Sequence, residues 1–237
     1  MRENPSHHRA MFVSFSGIDG AGKSTQIANL RNRLHEAGLR VEQITFWDDV
    51  ATLKLAREGA GHKIFKGDKG VGTPEAPIHR RDKNVQSPLM TLFRMGIYLV
   101  DAISLRKIAK KARQSSADVV IFDRYMYDEL ANLELGNAAT RFYVRVIMKL
   151  VPRPEVSFIL DADPDKARAR KPEYPLEFLH TNRNSYLKLS EVLGGITVVS
   201  PRSLNEVKTE VVGCVLRSEW LAPQASRRQV VSEVASY

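Results

Sequence analysis

The stretch FVSFSGIDGAGKSTQIANL, Phe12 to Leu30, decides the fold. It opens with apolar residues on consecutive positions, as in a strand buried on both faces. Glycines then crowd Gly17, Gly20 and Gly22, and beyond them Ile27, Leu30 and Leu34 share one face of a helix starting near Lys23. Gly17, Gly22, Lys23 and Ser24 match G-x-x-x-x-G-K-[ST] between that strand and that helix. Each part has a chemical reason. Glycines let the backbone wrap an anion with its amides inward. The lysine reaches the β- and γ-phosphates, the hydroxyl of Ser24 ligates Mg²⁺, and the helix N-terminus adds a field that favours anions. The stretch therefore predicts a nucleoside triphosphate site built from Gly17, Asp19, Gly20, Ala21, Gly22, Lys23, Ser24 and Thr25.

Outward from this loop, short β-branched runs alternate with helical patterns. Met11–Ser16, Val41–Phe46, Asp118–Asp123, Val156–Leu160 and Ile196–Ser200 read as strands. Gly38 sits where a helix C-cap would. Leu89 to about Gln114 is long enough for a crossover helix, and Phe142, Val146, Ile147 and Leu150 mark another, stopped by Pro152. Ser203 and Glu206 have capping-box spacing ahead of Val207, Val211 and Cys214 on a last helix. Such alternation predicts one α/β domain, a three-layer P-loop sandwich with a central five-stranded parallel sheet, over residues 11–220. Residues 1–10 and 221–237 read as flexible tails. Gly59–Pro88, rich in glycine and proline, reads as a long loop, and 168–178 as a lid.

Composition narrows the setting. The 237 residues carry 36 Lys and Arg against 27 Asp and Glu, a net charge of +9. The excess is scattered, with no aromatic-and-basic motif of the kind that binds nucleic acid. No apolar run approaches a membrane span, and MRENPSHHRA has no apolar core of a secretory signal. Cys214 is the only cysteine, which suits a reducing, cytoplasmic setting. His62 and His79 lack metal-ligand spacing.

Two further motifs bear on chemistry. The third strand ends in Asp123-Arg124-Tyr125, at the sheet edge that faces the ligand crevice in parallel folds. An aspartate there can hold Mg²⁺ through water and an arginine can clamp a phosphoryl group; the plain alternative is an Asp–Arg pair closing the strand. LDADPDKARAR, Leu160 to Arg170, follows the fourth strand and sets Arg168 and Arg170 before the irregular KPEYP. Arginines on a mobile cover would neutralise transferring charge and exclude water, and the alternative is an exposed basic helix end.

Together, FSGIDGAGKSTQ, DRY, LDADPDKARAR and FLHTNRNSYLKL (Phe178–Leu189) resemble the thymidylate kinase family of nucleoside-monophosphate kinases, in order and spacing, over about Met11 to Val215. The resemblance implies an ATP- and Mg²⁺-dependent kinase acting on a nucleotide, with a homodimer through the Leu89–Gln114 helix. On it, Asp19 holds the acceptor's sugar hydroxyl, Tyr98 stacks on the base, Arg124 contacts substrate and Arg170 is the lid arginine. Lys23, Asp123, Arg124 and Arg170 then form the catalytic set, Arg168 joins the nucleotide-binding set, and Ser24 and Asp123 hold the metal. Ala21 stands where one subgroup carries a basic residue, so the catalytic arginine is expected from the lid.

The departures lie on the acceptor side. The family has Arg-Glu-Pro after the second strand, where this chain has FWDDV with Asp48 and Asp49. Asp48 can cap a helix through Leu53 and Ala56. Ala102 stands where a second acceptor arginine is expected, and Asp128, Asn132 and Leu133 replace residues of the thymine pocket. Arg80, Arg81, Lys83, Arg94 and Arg106 are candidate replacements. dTMP is the first acceptor to expect. A different small-molecule acceptor, a polyphosphate-using nucleotide kinase and an ATP-binding sensor without transfer activity are the alternatives.

Overall fold

A computed structural model describes residues 9–51 and 88–221. Most of both tails, all but the last residue of the 59–88 segment, and Leu53, Ala56, His62, His79, Arg80, Arg81 and Lys83 lie outside the described residues.

The first strand, β1 (Met11–Ser16), is buried at every position. Its side chains alternate between two cores. Met11, Val13 and Phe15 join one apolar cluster and Phe12 the other, so both faces are covered, and the two serines of the strand, Ser14 and Ser16, are buried with them. Helix α1 (Lys23–Glu36) follows and buries Ile27, Leu30 and Leu34. It ends at Gly38, whose φ of 71° is readily adopted by glycine, with Leu39 N donating to Leu34 O at 3.0 Å. Strand β2 (Val41–Thr45) runs into a π-helical turn, Phe46–Val50.

Next among the described elements is α2 (Pro88–Arg113), and then β3 (Val119–Asp123) and the short α3 (Met126–Leu130). α4 (Ala138–Leu150) leads to β4 (Val156–Leu160), and α5 (Pro164–Arg170) to α6 (Leu176–Leu193). β5 (Thr197–Val199) and α7 (Leu204–Leu216) close the order. The sheet has five parallel strands in the order β2-β3-β1-β4-β5. Helices α1 and α7 cover one face through Leu30, Leu34, Val211 and Val215. The other face lies under α2, α4 and α6, through Leu105, Ile147 and Leu189 among others. The predicted three-layer α/β arrangement is therefore present.

Sequence and structure differ in the connections. Residues 46–50 form the π-turn, and Asp49 Oδ2 accepts from Thr45 N at 2.7 Å, while the helix through Leu53 and Ala56 that Asp48 is expected to cap lies outside the described residues. Arg168 and Arg170 lie in the last turn of α5, the basic helix end named above as the alternative to a mobile cover. That helix had a legible start, since Asp163 accepts from Lys166 N at 3.0 Å with Pro164 in the first turn. The capping box of α7 forms as expected: Glu206 Oε2 accepts from Ser203 N at 3.0 Å and Ser203 Oγ from Glu206 N at 3.4 Å. Cys214 is half-buried against the α1–α7 core. Among the described residues no helix is long and apolar enough to cross a membrane.

Because β1 and β3 are paired with Phe15 level with Asp123, the loops after them emerge side by side. The chain turns to one side of β1 for β2 and β3 and to the other for β4 and β5, and the crevice lies where those connections part. Gly17 is pressed into this junction: its φ is 134°, and a Cβ there would sit 2.5 Å from Leu160 O. Gly22, at φ 88°, has open space around it. Gly17→Ala should therefore cost about 3 kcal/mol or more and Gly22→Ala only about 1 kcal/mol, as read from urea unfolding midpoints.

Candidate functional site

The loop between β1 and α1 uses left-handed backbone at Gly20 and Gly22 as well as the twist at Gly17. A Cβ on Gly20 would collide with the carbonyl oxygen of Ala167, so the loop rests directly against α5. Gly22 leads into α1 without any side-chain cap, leaving the first amides of the helix without an internal partner. Ser24 and Thr25 are exposed in its first turn, and Ala21 is half-buried.

Lys23 is 7% exposed, and its Nζ donates to Gly17 O at 2.8 Å and Ile18 O at 2.9 Å. Burial, and after it the neighbouring Arg124, lower its pKa to about 8, against the opposing pull of Asp19, Asp128 and Asp123. The ammonium thus lies folded back on the loop's own carbonyls. At the end of β3, burial pushes the Asp123 carboxyl upward although Arg124 and Lys23 pull it down.

Arg124 has φ 70°, the only positive value outside glycine among the described residues. Its N–H donates to Phe15 O at 2.9 Å, which ties it to the end of β1. The guanidinium bridges two carboxylates: Nη2 pairs with Asp19 Oδ1, and Nη1 with Asp128 Oδ1 at 3.1 Å. Burial opposes its charge, but Asp128 and Asp19 outweigh that and raise its pKa above the ordinary arginine value. Its ion-pair partners among the described residues are therefore not Asp123, which sets aside the simple Asp–Arg strand closure. Lys171 Nζ also lies 4.0 Å from Asp19 Oδ1 and 3.2 Å from Glu173 Oε1.

The fold brings Gly17, Asp19, Gly20, Ala21, Gly22, Lys23, Ser24 and Thr25 together with Asp123 and Arg124 at the carboxyl ends of β1 and β3. Arg168 is half-buried on α5, and Arg170 is exposed with its Nε donating to Lys166 O at 3.1 Å. Tyr98 is 5% exposed within the α2 side of the core, and Ala102 is fully buried there. Asp48 and Asp49 are exposed after β2.

Two partners escaped the sequence reading. Asp128, on α3, meets Arg124 four residues back, but Arg124 precedes the helix in left-handed backbone, so no helical periodicity announced the contact. Arg183, on α6, forks onto Asp161 at 2.6 and 2.7 Å, fastening α6 to the end of β4. Nothing in the spacing of 22 residues announces that bond.

A cavity of about 850 Å³ opens among α2, the α3–α4 connection and α6, lined by Arg94, Met95, Asn132, Leu133, Phe178 and Lys188 among others. None of the loop residues 17–25, nor Asp123 or Arg124, lines it.

A parallel sheet whose central strand empties through G-x-x-x-x-G-K-S into a helix, with an Asp-Arg pair level beside it, defines a P-loop nucleotide-binding α/β protein. No protein-family model matches the chain. It is 29% identical to the "probable thymidylate kinase" of Methanothermobacter thermautotrophicus over 206 residues, 85% of this chain and 92% of that protein. It is 27% identical to the one of Methanosphaera stadtmanae over 201 residues, 83% of this chain and 92% of that protein. The solved thymidylate kinase of Candida albicans superposes with a TM-score of 0.61 at 14% identity, covering 90% of this chain and 94% of that one. That of Ehrlichia chaffeensis gives 0.51 at 19% identity, covering 87% and 98%. The chain is thus similar over most of its length to thymidylate kinases, at the distance of remote relatives, and shares their fold.

The buried ammonium has a pH signature of its own. Lysine in the unfolded chain titrates near 10.5 and Lys23 near 8, so between these values the unfolded state holds more protons and stability rises with pH. Relative to Lys23→Met, the native protein should gain up to about 3 kcal/mol between pH 8 and 10.5, measured by urea unfolding at stepped pH.

Proposed function

We propose that this chain transfers the γ-phosphoryl group of ATP to a nucleoside monophosphate in a Mg²⁺-dependent reaction, with dTMP as the foremost acceptor. The observation that carries the reading is the meeting of the Lys23 ammonium and the Arg124 guanidinium at a glycine loop whose helix start is uncapped. Loop amides of residues 17–25 and the α1 terminus would hold the triphosphate. Lys23 would leave the Gly17 and Ile18 carbonyls for the β- and γ-phosphates. Arg124 and Arg170 would spread over the transferring group, with Arg168 near the nucleotide, and Asp19 would exchange Arg124 for an acceptor hydroxyl.

The protein's donors fit Mg²⁺, which takes hard oxygens and binds through one or two protein groups plus phosphates. Ser24 Oγ and the Asp123 carboxylate supply that set, and a cation would relieve the burial that pushes Asp123 upward. Held by Ser24 and Asp123, Mg²⁺ would supply the positive charge that offsets the triphosphate's negative charge.

Asp48 and Asp49 beyond β2 favour a second reading of the acceptor. Two carboxylates at that rim repel a monophosphate, so a less anionic hydroxyl-bearing molecule is the alternative. Tyr98, almost wholly buried, offers a base little ring surface, which points the same way.

A second copy of the chain is proposed on α2. Leu92, Phe93, Leu99, Val100 and Ile103 are each at least 41% exposed and recur at helical spacing along one face. Val100→Glu should halve the mass seen by sedimentation equilibrium, and an unchanged mass would remove this face from consideration.

The deciding assay follows ATP and Mg²⁺ with dTMP, dUMP, the other monophosphates, thymidine, polyphosphate in place of ATP, and no acceptor. The expected result is dTDP formation that falls by about 100-fold or more in Lys23→Ala. ATP binding without transfer to any acceptor would instead support a sensor. Triphosphate affinity should also weaken as pH rises above about 8, because Lys23 must regain its proton to bind, checked by calorimetry in buffers of different ionisation enthalpy.

A further inference from the structure

We infer that Asp128 is a positioning residue: by anchoring one edge of the Arg124 guanidinium, it fixes where that cation meets the transferring group. The inference rests on the phosphotransfer reading above.

Asp128 lies in the first turn of α3 with its side chain 1% exposed. Oδ2 accepts from Ser16 Oγ at 2.6 Å and from Tyr125 N at 3.1 Å. Oδ1 accepts from Tyr186 OH at 2.8 Å and from Arg124 Nη1 at 3.1 Å. A carboxylate offers about four acceptor positions, and here all are taken. The group cannot turn without breaking contact with β1, the entry to α3, or α6. Its backbone is held too, since Asn132 Nδ2 donates to Asp128 O at 2.9 Å.

The two grips on Arg124 are unlike. Asp19 sits on the glycine loop beside the crevice and also feels Lys171 at 4.0 Å. An arriving anion can compete for the Asp19 edge of the guanidinium. It cannot compete for the Asp128 edge, which faces the packed interior. Arg124 therefore keeps one fixed edge while the other changes partner. A cation so held needs no reordering when charge moves, the condition under which electrostatic stabilisation is largest. Asp128 touches no reacting atom and acts through Arg124.

The test is a double-mutant cycle of Asp128→Asn and Arg124→Ala. Asparagine offers one acceptor oxygen and two donors, so it cannot serve both pairs of partners. The single Asp128→Asn change should lower kcat by about 10- to 100-fold, with KM for ATP within about 3-fold. In the Arg124→Ala background the same change should lower kcat by no more than about 2-fold. Equal losses in both backgrounds would overturn the inference, because they would show an effect that does not pass through Arg124. Should Asp128→Asn fail to fold, Tyr186→Phe removes one hydroxyl from the same carboxylate and keeps the ring. It is expected to lower kcat about 3-fold, again only where Arg124 is present, and a loss independent of Arg124 overturns the inference equally. If the native chain turns over no acceptor, the phosphotransfer reading fails separately. Urea midpoints of the same four proteins then decide the anchoring: non-additive shifts support it and additive shifts refute it.

Discussion

Burial of β1 on both faces is the constraint from which the site follows. A strand hydrogen-bonded to β3 and β4 and covered by helices above and below leaves its polar backbone only one outlet, its carboxyl end. There the chain must reverse into α1 without stranding its amides, and glycine at 17, 20 and 22 makes the reversal sterically possible. The same register sets Asp123 beside Phe15 and throws Arg124 across the loop. The position of the chemistry is thus a consequence of packing in the sheet.

The charges around that outlet are mutually dependent. Lys23, Arg124 and Lys171 face Asp19, Asp123 and Asp128 in a partly buried space. Burial weakens the hold of Lys23 on its proton and lifts Asp123, whereas Arg124 stays charged because two carboxylates surround it. Tyr186, whose own hydroxyl is pushed well above its ordinary pKa by burial, remains a donor to this group. The network links β1, α3 and α6, so α6 is not independent of the glycine loop after β1.

Much of this was legible in the sequence, for identifiable reasons. The mostly apolar Met11–Phe15 and the unbroken Val119–Phe122, each too short for a helix, marked strands covered on both sides, and the glycine spacing located the loop between strand and helix. Local capping signals were equally readable, at Ser203 and Glu206 where they were recognised and at Asp163 and Pro164 where they were not. What escaped were bonds between distant segments. The fork of Arg183 on Asp161 and the contact of Ser16 with Asp128, 112 residues apart, have no periodicity to betray them. The turn at FWDDV escaped for another reason: Asp49 reaches back to Thr45 N, a geometry that competes with ordinary helix capping over the same residues.

The crowding around Asp128 also bears on how this chain can diverge. Four donors from three parts of the fold share a single side chain, so replacing it alone strands several buried hydrogens at once. Ser16, Tyr186 and position 128 are consequently coupled: a side chain at 128 with fewer acceptors leaves its neighbours' hydrogens unmatched unless they change with it.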